Sequence, residues 1–151
     1  MIIEARNRIV TELETLVENG TIGAVHKDTT TYDPFDQNTK IVKSPTVFVE
    51  IGQMTSELME NNSRLRTYNV SLVVVWKTEG RTRELEQKIQ DVENIIDHFD
   101  NLHYDVNNHL GGVLGGGYID GGTNLNMQYD STKKRLMCLI TLNVHIRKVH
   151  S

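Results

Sequence analysis

The chain has 151 residues, with 16 Lys and Arg against 20 Asp and Glu and a net charge of −4 at pH 7. That balance argues against a protein with a specific nucleic-acid partner, because phosphate contacts need clustered basic side chains. At 38% hydrophobic and 24% charged residues, the composition is that of a globular chain and not a disordered one.

One domain over residues 1–151 is the simplest reading of this length, which buries enough surface to fold without disulfides or metals. Cys138 is the single cysteine, so no disulfide forms within the chain and nothing marks an oxidising compartment. No stretch approaches the roughly 20 apolar residues of a membrane span. Glu4 comes early in an N-terminus that lacks the apolar run of a signal peptide. The expectation is a protein made in a cytoplasm, with no membrane partner and no cofactor.

Taken in chain order, Ile2, Ile9, Leu13, Leu16 and Val17 fall near one stripe of a helix, with Glu4, Arg8, Glu12 and Glu14 off it. Asn19 and Gly20 end that helix, glycine taking the left-handed conformation that closes a helix terminus. Residues 21–31 (TIGAVHKDTTT) alternate weakly and suit a short strand. Residues 32–44 read as a long loop with a turn at Asp33-Pro34, and loops of that length are usually functional.

Pro45 opens a strand, PTVFVEIG, with Val47, Val49 and Ile51 on one face. Residues 54–63 (MTSELMENNS) are polar and read as a connection. Residues 64–76 (RLRTYNVSLVVVW) alternate as a strand, Tyr68, Val70, Leu72, Val74 and Trp76 sharing a face. Val73 and Val75 make the opposite face apolar too, so the end of this strand is covered on both sides.

Thr82 can cap a second helix over residues 82–99, whose stripe is Leu85, Ile89, Val92, Ile96 and Phe99 with Lys88 outside it. A glycine-rich loop spans 111–122, although residues 118–129 can also form a strand. A last strand over 134–149 puts Leu136, Cys138, Ile140, Leu142, Val144 and Ile146 on one face. Long strands, short turns and only two helices predict an α+β fold. Its sheet is mostly antiparallel, of four or five strands, with both helices packed on one face.

No residue set here resembles a catalytic or metal site. The glycine run at 111–117 lacks the Lys and Ser or Thr that must follow a phosphate loop, since Tyr118 and Ile119 come next. It reads as a surface loop that orders against a partner. Of the six histidines, His98 and His103 are five apart and poorly placed on one helical face for zinc. Asp33, Asp36 and Asn38 lack the glycine and closing glutamate of a calcium loop. Cys138 sits in an apolar row and reads as a small hydrophobe. Arg64, Arg66, Arg81 and Arg83 bracket the long strand. They are either solvated ends that oppose edge pairing or, since arginine is enriched at interfaces, a surface that meets acidic groups of a neighbour.

Four pieces in this order resemble phage tail terminator proteins, also called tail-completion or tail-to-head joining proteins. They are the amphipathic N-terminal helix (IEARNRIVTELETLVE), the proline-opened strand (SPTVFVEIG), the arginine-tyrosine strand with its helix (RLRTYNVSLVVVW and TRELEQKIQDVENIIDHF), and the last strand (KKRLMCLITLNVHIRKV).

The resemblance implies a structural virion protein and not an enzyme. It implies a homo-oligomeric ring of six subunits in the virion tail, assembled in the bacterial host cytoplasm. Such a ring stops tail-tube polymerisation and joins the tail to the head, with the tail tube protein and a head-completion or connector protein as partners. Candidate contact residues are Asp33, Phe35, Asp36 and Lys40 in the long loop, Gly112, Gly115, Gly116 and Tyr118 in the glycine-rich stretch, and Arg64 and Arg66.

Alternatives are another head–tail connector, stopper or minor tail protein and, from a different class, a small hydrolase whose site only folding would assemble. Deleting residues 112–117 is expected to leave a folded protein that fails to join tails to heads, which virion yield measures. Normal yield would overturn the role given to this loop.

Overall fold

The ladder positions follow directly from the alternation of apolar residues. The computed structural model describes residues 2–26, 45–60, 63–77, 85–104, 118–122, 127–130 and 134–149. Helix α1 (Ile2–Glu18) is followed by β1 (Ala24–His26), β2 (Thr46–Glu60), β3 (Ser63–Lys77), α2 (Leu85–Tyr104), β4 (Tyr118–Gly122), β5 (Met127–Asp130) and β6 (Arg135–Val149). The sheet order is β1-β2-β3-β6-β4, with β5 also on β6. Strands β4 and β5 share one edge, pairing with Thr141–His145 and Arg135–Cys138 respectively, so the strands fill five positions. Among the described residues, only β1 with β2 is parallel.

The α+β expectation therefore holds, with one parallel pair at the edge. Ala5, Ile9, Leu13 and Leu16 of α1 and Val92, Ile95 and Phe99 of α2 join one buried cluster with Val47, Val49, Val70, Leu72, Val74, Leu136, Ile140 and Val144. Both helices thus cover the same sheet face. The other face carries a smaller buried cluster of Phe48, Val73 and Val75, with Met137 packed against it. That agrees with an end of β3 covered on both sides.

Four expectations are corrected. Residues 54–60 of the polar stretch are not a connection: β2 runs on to Glu60 and pairs with the start of β3 at Ser63. Polarity misled here because an exposed hairpin strand has no core to face. Residues 118–122 are strand β4 and not part of a loop, and residues 118–129 make two short strands instead of one.

The α2 stripe is also turned. Lys88 is buried beside the row Val92, Ile95 and Phe99, while Ile89 and Ile96 are half-buried. The 88-92-95-99 row has the same four- and three-residue spacing as the expected one, so spacing alone could not choose the phase. In α1, Glu12 is buried with the stripe. Residues 32–44, the Thr82 cap and the glycine run 111–117 lie outside the described residues.

The end of α1 is as expected. Gly20 has φ 85°, the Thr21 amide donates to Leu16 O at 2.9 Å and the Gly20 amide to Val17 O at 3.1 Å. These two bonds satisfy carbonyls that the last turn leaves open, the pattern of a Schellman cap. Pro45 O then accepts from the Gly23 amide at 2.8 Å, tying the helix exit to the start of β2. A Cβ on Gly20 would meet nothing within 4 Å, so only the backbone opposes a side chain there. Gly20→Ala is expected to lower unfolding free energy by about 1–2 kcal/mol, the cost of a left-handed non-glycine residue, measured by urea denaturation. An unchanged midpoint would show that the cap contributes nothing.

Candidate functional site

Distal β2 is the surface that the core does not explain. Residues 52–59 are all exposed, whereas Val47 and Val49 upstream are fully buried. Three large apolar side chains stand in this stretch: Met54 is 49% exposed, Leu58 61% and Met59 54%.

Two irregularities shape it. Gly52 and Gln53 together oppose Asn69 alone, and Met59 is extra between the Leu58↔Arg64 and Glu60↔Ser63 pairs. A Cβ on Gly52 would come within 3.2 Å of the Asn69 carbonyl oxygen, so the strand makes its extra turn where the backbones approach closely. The bulge also changes which residues face the helices: odd positions before it, then Met54, Ser56 and Leu58 after it, level with Tyr68, Arg66 and Arg64.

β3 is not an edge strand. It lies between β2 and β6 from Ser63 to Val75, which removes the reading of Arg64 and Arg66 as guards against edge pairing. Arg64 is exposed and Arg66 half-buried, and both flank the Met54–Leu58 row. Arg66 Nε and Ser63 Oγ are shielded from solvent and lack a hydrogen-bond partner, which is uncommon for buried polar atoms.

On the opposite face, Thr55, Thr67 and His145 stand level, and so do Glu57, Leu65 and Arg147. Thr67 Oγ1 and His145 Nδ1 share a 2.9 Å hydrogen bond. Tyr118 opens β4 opposite His145, at the same end of the sheet. Arg64 and Arg66 thus stand on the helix side of distal β3 and Tyr118 begins β4 two strands over, level with Thr67, while Asp33, Phe35, Asp36, Lys40, Gly112, Gly115 and Gly116 lie outside the described residues.

One polar cluster escaped the sequence reading. Glu12 of α1 receives Arg8 Nη2 on Oε1 at 3.1 Å and His98 Nε2 of α2 on Oε2 at 2.9 Å. The signal was present in the 5-9-12-16 spacing, which puts Glu12 on the buried row with Ala5, Ile9 and Leu16. The cluster clamps the two helices together, and the His98 ring meets Phe99 edge-on at 5.6 Å. His26 packs against Phe48 at 5.3 Å, and burial holds its imidazole below the ordinary range. Among the described residues, no group of three or more His, Cys, Asp or Glu is placed to hold a metal. No helix there is long and apolar enough to cross a membrane.

Compared with known proteins, residues 5–122 match the family model of the bacteriophage tail tube terminator protein, well over half of the chain. No curated protein matches it.

Cys138 is buried to 1% exposure, and burial pushes its thiol up from 9.0 to about 11. A thiolate is needed for attack, so native protein at pH 8 is expected to react with a thiol reagent far more slowly than unfolded protein. The folded thiol binds its proton more tightly than the unfolded one. This preference for the protonated thiol therefore supports stability fully below pH 9 and fades as pH rises through about 11. Equal labelling rates in native and urea-unfolded samples would overturn the assignment.

Proposed function

The chain belongs to the bacteriophage tail tube terminator family, and from that premise we propose that six copies form a ring that caps a tail tube, stops its growth and joins tail to head. The family is structural and not enzymatic, which removes the hydrolase alternative. Membership places the protein in the virion tail, in contact with the tail tube.

Distal β2 carries the finer reading. Met54, Leu58 and Met59 hold apolar surface in water that this chain's own core never covers, and surface of that kind is buried by association. A ring is built from unlike patches that meet head to tail, and closure ends the series. Such a ring on the last tube layer stops addition because its far side differs from the tube. Arg64 and Arg66 border the apolar row and supply polar anchoring at its margin. Residues 32–44 and 111–117 are further contacts in this reading, with Asp33, Phe35, Asp36 and Lys40 in the first stretch, and Gly112, Gly115 and Gly116, followed by Tyr118, in the second. They reach neighbours in the ring, the tube or the head connector.

Adding the protein to polymerising tail tube protein is expected to stop elongation and leave rings at tube ends, both visible by electron microscopy. Met54→Asp with Leu58→Asp is expected to keep the melting temperature and lose the effect. Tubes that grow to the same length with and without the wild-type protein would overturn the proposal.

A further inference from the structure

The two long margins of the distal sheet differ in charge. From Thr46 to Glu60, β2 carries Glu50, Glu57 and Glu60 and no Lys or Arg. Toward its distal end β6 carries Arg147 and Lys148, and the strand holds no Asp or Glu; its Arg135 stands at the other end, opposite Asp130 of β5. Among the described residues, β1 pairs with β2 only as far as Phe48, and β4 pairs with β6 only as far as His145. Both strands run from the core toward the distal end, since each is antiparallel to β3.

We propose that distal β2 of one copy pairs edge to edge, in parallel, with the end of β6 of a second copy, so that neighbouring sheets merge into one. This rests on the ring reading above and names its contact. Pairing β2 with a second β2 would set glutamates against glutamates, and like charges directly opposite destabilise a sheet. Pairing β2 with β6 sets acid against base. It also keeps the helices of every copy on one side, as rotation about a ring axis requires.

The ladder supplies the level. Glu57 and Arg147 stand opposite the same residue, Leu65, on the face away from the helices. When neighbours meet without an axial step, Glu57 therefore lies beside Arg147 of the partner subunit. Edge pairing of this kind draws affinity from main-chain hydrogen bonds and register from such side-chain pairs.

Charge reversal in trans tests this. Glu57→Lys and Arg147→Glu are each expected to stay folded, as read by circular dichroism, and to stay monomeric, alone or on tubes, where the wild type assembles. Mixing the two variants restores both kinds of contact in an alternating ring, so assembly returns on native mass spectrometry. A second test does not depend on charge. Within one chain Glu57 and Arg147 are separated by β3, about 9.5 Å across two strand spacings, beyond the roughly 7 Å limit for a disulfide. The chain carrying Glu57→Cys and Arg147→Cys is therefore expected to cross-link only between copies under a mild oxidant, as a ladder ending at the subunit number.

Assembly of either charge variant by itself, or no cross-linking in an assembled double-cysteine chain, overturns the contact and leaves the ring standing. A wild-type protein that stays monomeric both alone and on tubes overturns the ring, and this contact with it.

Discussion

Everything in this fold is referred to one ladder, the pairing of β3 with β6. From Ser63↔Val149 to Lys77↔Arg135 the two strands stay in step without a shift. A single slip of either strand would exchange its two faces along the whole length, turning Leu72 and Val74 of β3, or Ile140 and Val144 of β6, away from the helices. The fixed step defines one dry face on which α1 and α2 both pack. It also sets the level at which β2, β4 and β5 join. The helices add the Arg8–Glu12–His98 contact, which couples two elements 86 residues apart in the chain.

Much of this was legible because the central strands are long and strictly alternating. The β3 and β6 rows, the glycine end of α1 and the one-sided helices all come from patterns that carry a period and a phase together. What failed was phase without period, or period without burial. In α2, Lys88 lies on the buried row because a long side chain can occupy a core-facing position with its polar end at the margin. In β2, residues 54–60 form a strand although their sequence alternates poorly, since the neighbouring strand holds them and no core selects them. The short β5 is likewise an effect of β6, which offers a ready edge to Met127–Asp130.

The exposed apolar stretch of distal β2 was visible in the sequence only as an oddity. A polar stretch containing Met54, Leu58 and Met59 has no helical stripe and no strand row to place them in. Folding gives them a common location and leaves them in solvent. Arg64 and Arg66 were singled out for their residue type, and their position beside that row could come only from the β2–β3 register.

The bulge at Gly52 and Gln53 has a wider consequence. It divides one strand into two reading frames. Upstream, the inward set is dictated by packing under α1, where a change of one methylene is felt. Downstream, the inward set answers only to whatever the molecule meets outside itself. Because the frame is reset at the bulge, mutations can accumulate in the distal half without propagating into the core. One strand thus serves two independent constraints, with Gly52 and Gln53 as the boundary between them.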